Sequence, residues 1–135
     1  MNKNNEKINY WLELADYDAE TAKAMLDSGR FLYVGFMCHQ VVEKALKAVL
    51  SQNLAKEEVA PKTHNLIKLA NLCGIYEHLL EEQQDFLAQL NPLNIEARYP
   101  QYKEQLLNAM NKSECEKIIF KTGDFLCLIK SKLKK

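Results

Sequence analysis

Arg98, Tyr99 and Tyr102 stand together in "NIEARYPQYKEQ", residues 94–105. A guanidinium offers five donors in a fixed fork that matches phosphate or carboxylate, and tyrosine rings beside it supply faces on which a base can stack. Pro100 disfavours helical geometry at Tyr99. The segment should therefore leave the preceding helix as an extended or turned piece and re-enter a helix around Lys103. The same residues have a structural reading, in which Arg98 pairs with Glu96 or another carboxylate and the tyrosines pack the loop onto the protein. Residue types alone leave both readings open.

A second polar set lies in "MCHQVVEKALK", residues 37–47. His39 and Glu43, Gln40 and Lys44, and Glu43 and Lys47 are each one i,i+4 step apart, so on a helix they share one surface. Read blandly, this is a solvated stripe laced by ion pairs worth a few tenths of a kcal/mol each. His64, in "KTHNL", falls where a helix should begin, and there an imidazole bonds backbone groups or faces water. His39, His64 and His78 have no ligand-pair spacing among them, so neither a metal nor another cofactor is expected.

These groups must be positioned by helices. Apolar residues at Ile8, Trp11, Leu12, Ala15, Ala19, Ala22, Met25 and Leu26 recur at steps of three and four, which defines one helical face. Asn4 or Asn5 is the expected N-cap, and Gly29 the left-handed residue that closes the helix. Phe31, Val34, Cys38, Val41, Val42, Ala45, Leu46 and Val49 repeat the pattern after a short link, so these two segments form a long antiparallel hairpin. After the polar connection "NLAKEEVAPKT", Thr63 is a plausible cap for a third helix that Gly74 ends. A fourth is expected from His78 to Leu90, stopped by Asn91-Pro92. The last opens on Ser113 and Glu116, spaced as a capping box, with Cys115, Ile118, Ile119, Thr122, Phe125, Leu126 and Ile129 on its buried face. No stretch alternates as a strand does, so the expected fold is all-α: an up-and-down bundle of about five helices in a single domain, 1–135.

The totals agree with that class. The 135 residues are 47% hydrophobic and 27% charged, with 4 Gly and 3 Pro, which excludes disordered and fibrous chains. Eighteen basic residues balance eighteen acidic ones, so no global field draws the protein onto nucleic acid or an anionic membrane. The N-terminus lacks an apolar signal core and no apolar run reaches membrane-spanning length, so a cytoplasmic location is expected. Cys38, Cys73, Cys115 and Cys127 form no CxxC pair and are expected as core thiols. On one helix, Cys115 and Cys127 would be about 18 Å apart, too far for a disulfide.

Three stretches resemble the HEPN domains of prokaryotes: "FLYVGFMCHQVVEKALKAVL" at 31–50, "KTHNLIKLA" at 62–70 and "EARYPQY" at 96–102. They fall in the family's order and spacing, across nearly the whole chain. The resemblance implies a helical bundle, usually a homodimer, frequently paired with a small nucleotidyltransferase. Some such pairs behave as toxin and antitoxin, and others have been proposed to bind nucleotides. Many family members are metal-independent ribonucleases whose signature is an arginine followed a few residues later by a histidine. Here Arg98 matches the arginine, but Lys103, Glu104 and Gln105 occupy the histidine window. In some toxin members a tyrosine just beyond that histidine receives AMP; that register gives Gln105 here. The resemblance thus implies a non-catalytic partner subunit, with Arg98, Tyr99, Tyr102, His39, Glu43, Lys44, Lys47 and His64 as candidates for binding nucleotide or RNA phosphate. If two copies pack through the hairpin, their polar clusters would line one groove. The alternatives are a ribonuclease toxin using Arg98 and a plain protein-interaction module.

Overall fold

A helix that opens with Lys3 and carries a small-residue stripe begins the chain. The structure, a computed structural model, describes residues 3–52, 61–96 and 99–133, and the regular elements among them are all helical. Helix α1 (Lys3–Asp27) already includes Asn4 and Asn5, so neither serves as its cap. Gly29 closes it at φ +77°, with the Arg30 N–H donating to the Met25 carbonyl at 2.8 Å. A 3-10 turn at Phe31–Tyr33 leads into α2 (Val34–Ser51). Ala15, Ala19 and Ala22 let the two backbones approach closely, and α1 and α2 pack along their length.

Helix α2 is not amphipathic in the expected sense. It is contacted by α1 and by four later helices: α3 (Leu66–Leu72), α4 (Glu81–Leu90), α5 (Leu93–Glu96) and α7 (Lys112–Leu133). A helix apolar on most of its circumference belongs at the centre of a bundle. Gly35 marks how tightly α5 sits on it, since a Cβ there would lie 2.6 Å from Leu93 Cδ1.

The ends of the later helices follow side-chain competition. Asn65, rather than Thr63, caps α3: its Oδ1 accepts from the Ile67 and Lys68 N–H groups at 3.1 Å each, while Thr63 Oγ1 accepts from Asn65 N at 3.2 Å. Asn91 reinforces this corner by donating to Asn65 Oδ1 and accepting from the Leu66 N–H. Tyr76–His78 is a separate 3-10 turn, so α4 starts at Glu81, with Leu80 N–H held by the Gln83 side chain at 2.8 Å. α4 ends at Leu90, before Asn91-Pro92 as expected, and α5 follows directly, since Pro92 is suited to a helix start. A 3-10 turn at Pro100–Tyr102 then gives way to α6 (Lys103–Ala109), the re-entry expected near Lys103. At α7 the Ser113–Glu116 box does not form. Asn111 Oδ1 accepts from the Glu114 N–H at 2.9 Å, which leaves Ser113 inside the helix.

The core joins Leu46, Leu66, Leu69, Leu87, Leu90, Ile118 and Ile129, all fully buried. Lys130, from the basic C-terminal stretch, donates to Asp16 at 2.7 Å and ties α7 to α1. No helix among the described residues is long and apolar enough to cross a membrane.

The cysteines divide, against the expectation of four core thiols. Cys38 and Cys115 are buried, Cys73 is half-buried and Cys127 is exposed. Burial pushes the Cys38 and Cys73 thiols up to about 12 and the Cys115 thiol up to about 11. The thiolate is the reactive form. In the native protein, iodoacetamide near neutral pH should therefore modify Cys127 on the order of a hundredfold faster than Cys38 or Cys115, as read by mass spectrometry of the alkylated peptides. Equal rates would contradict this packing.

Candidate functional site

Helix α2 places His39, Glu43 and Lys47 on successive turns of one face, and the protein encloses them. The His39 side chain is fully buried, and Glu43 and Lys47 are 5% and 8% exposed. The stripe expected at the surface is thus an interior cluster, because α1 and the segment leading into α3 cover it. Lys47 Nζ donates to Glu43 Oε2 at 2.9 Å and rests 5.5 Å from the centroid of the Trp11 ring on α1, a cation–π contact of the ordinary kind. Ser51 Oγ donates to the Lys47 carbonyl one turn on.

His64 completes the cluster from outside α2. Its Nδ1 lies 2.9 Å from Glu43 Oε1, and a carboxylate can only accept, so Nδ1 carries the hydrogen. Its backbone carbonyl accepts from His39 Nε2 at 2.9 Å, which assigns the His39 hydrogen to Nε2 by the same logic. His39 Nδ1 stands 3.7 Å from the oxygen that His64 uses. Glu43 is thereby engaged at both oxygens, by an ammonium and an imidazole, as a buried carboxylate requires. The His64 side chain remains 53% exposed. It is the one member of the cluster open to solvent.

The other α2 candidates turn elsewhere. Lys44 pairs with Asp18 of α1, not with Gln40, and Gln40 donates to the buried Asn94 of α5 at 3.3 Å. Asp18 was visible in the sequence as an acid set within the Ala15, Ala19 and Ala22 stripe, where an opposite charge on the facing helix is the natural partner. Trp11 was read there as an apolar face residue only.

Arg98 and Ala97 lie outside the described residues, so the pairing of Arg98 with Glu96 has no structural test. Tyr99 and Tyr102 are 49% and 37% exposed around the Pro100–Tyr102 turn and take no part in the described hydrogen bonds of the Glu43 cluster. Lys103, Glu104 and Gln105, which occupy the histidine window, are exposed on α6. His78 is exposed beside Glu77, at 3.8 Å. Among the described residues, no group of three His, Cys, Asp or Glu side chains is placed to hold a metal ion.

A model of the HEPN domain matches residues 8–132. No curated protein matches the chain. Among solved structures, the crystal structure of TT1696 from Thermus thermophilus is similar, with a TM-score of 0.74 and 21% sequence identity. The likeness covers 98% of this chain and 99% of that one. At this identity it concerns the fold.

Proposed function

The chain belongs to the HEPN family, and from that premise we propose that it acts without catalysing a reaction, as the partner subunit of a small nucleotidyltransferase in a toxin–antitoxin-like pair. The observation that carries this reading is the histidine window. A metal-independent ribonuclease needs a group that moves protons near neutral pH beside the arginine that holds the phosphate. Lys103, Glu104 and Gln105 stand there instead, and no histidine follows His78. Of the three histidines, all earlier in the chain, His39 is buried against the His64 carbonyl, His64 is hydrogen-bonded through Nδ1 to Glu43, and His78 is exposed beside Glu77.

Binding is what survives such a loss. In this reading Arg98 contacts a nucleotide or RNA phosphate, Tyr99 and Tyr102 offer ring faces beside it, and a homodimer brings two such surfaces together in the cytoplasm. A net charge of zero suits a subunit that recognises a protein by shape rather than one that tracks RNA by long-range attraction.

An affinity pull-down of the tagged protein from its own cells tests this. A small nucleotidyltransferase should be recovered in near-equal amount, and induced expression in a naive cell should leave growth and RNA intact. Recovery of no such protein, or growth arrest relieved by Arg98→Ala, would overturn the reading in favour of autonomous RNA cleavage.

A further inference from the structure

We propose that His64 is a phosphate-contacting residue, binding the anion as an imidazolium held in place by the buried Glu43 carboxylate. This deepens the phosphate-binding reading above and rests on it, but it uses a residue outside the Arg98 segment.

The starting observation is an exposed side chain fixed more firmly than its exposure explains. Glu43 fixes the His64 ring at Nδ1, and His39 fixes its carbonyl. Its neighbours are pinned as well, through Thr63 Oγ1, the Asn65 cap and the two bonds of Asn91. Immobilising an exposed side chain costs conformational entropy, and such ordering is what a preorganised binding group requires. With Nδ1 turned inward to the carboxylate, Nε2 is the atom left for a ligand, and His64 has no partner there among the described residues.

Charge decides the class of ligand. Both Glu43 oxygens are taken, one by His64 and one by Lys47, so an arriving cation finds no spare carboxylate in the cluster. Glu43 and Lys47 cancel each other, so a proton on His64 gives the cluster a surplus positive charge at its one solvent-facing point. The groups that touch His64 are Glu43 and His39 of α2; Lys47 lies behind Glu43, with the uncharged Trp11 of α1 against it. A phosphate oxygen accepting from Nε2–H would form a charge-assisted bond. Because Glu43 is recessed behind the ring, it orients the imidazolium rather than occupying the anion's place.

NMR of the full chain provides the test, following the His64 ring resonances while inorganic phosphate, AMP, adenosine and a short single-stranded RNA are added separately. Phosphate and AMP should move those resonances, and adenosine should not. His64→Gln should weaken AMP binding by about tenfold or more, the size of one bond to a charged group. His78→Gln, at an exposed site outside the cluster, should not. A stronger response to AMP identifies a nucleotide as the source of the phosphate, and a stronger response to RNA identifies a strand.

Unmoved His64 resonances at saturating AMP and RNA, or equal AMP affinity in folded His64→Gln, would overturn the proposal. AMP binding lost in Arg98→Ala but unchanged in His64→Gln would sink this inference and leave the subunit reading standing. The pull-down decides that reading separately.

Discussion

Replacing Glu43 with leucine is expected to lower the unfolding free energy by about 3–5 kcal/mol, the cost of leaving one partner of a buried ion pair alone. Urea denaturation of the two proteins measures it. The size follows from what remains. Lys47, 8% exposed, would keep its ammonium against Trp11 with no counter-charge, and the His64 ring would lose its anchor. Leucine keeps side-chain volume near that of glutamate, so a cavity contributes little to the loss.

The double variant, Glu43→Leu with Lys47→Met, should recover most of the stability, because replacing both members of a buried pair with apolar side chains is often neutral or better. Recovery would show that the pair is kept for a reason other than stability, consistent with a role in orienting His64. A single-variant loss under about 1 kcal/mol, the worth of an exposed pair, would mean that Lys47 escapes to water and that the cluster is looser than its geometry indicates.

The parts of this cluster that lie within one helix were legible in the sequence. The i,i+4 steps at His39, Glu43 and Lys47 are local, and the helix that carries them follows from its apolar spacing. Their burial was not legible. Whether a polar stripe is wet depends on what covers it, and here Trp11 and His64 pack on it from elsewhere in the chain. The contact of His64 with Glu43 spans 21 residues, beyond any periodicity. Helix ends failed for a related reason: Thr63 and Ser113 are good caps by type, yet Asn65 and Asn111 stand where the first free N–H groups point. The Arg98 segment was the strongest signal of chemistry in the sequence, and Arg98 lies outside the described residues.

Helix α7 shows how far a periodic reading carries, and it sets the second large effect. Its expected stripe included Phe125 and omitted Phe120, and these side chains are 2% and 71% exposed. Phe125→Ala should cost about 3–5 kcal/mol, the usual range for emptying a buried phenylalanine site. The value should fall in the lower half of that range, because the groove between α4 and α7, lined by Phe86 and Phe120, gives neighbours room to close in. Phe120→Ala should stay within about 0.5 kcal/mol, as surface changes do.

The site should be indifferent to Phe125→Ala. One turn away on α7, Thr122 meets Cys38 of α2, and Cys38 lies five residues before Glu43, nearly the opposite side of a helix with 3.6 residues per turn. A cavity there weakens the bundle behind α2 while Glu43, Lys47 and His64 keep their contacts. Thermal unfolding should thus fall by about 10 °C for a loss near 3 kcal/mol, with the His64 ring resonances unchanged below the transition. Movement of those resonances in Phe125→Ala would show that α2 transmits packing changes across its width, and that the His64 site is tuned by the core rather than held locally by Glu43.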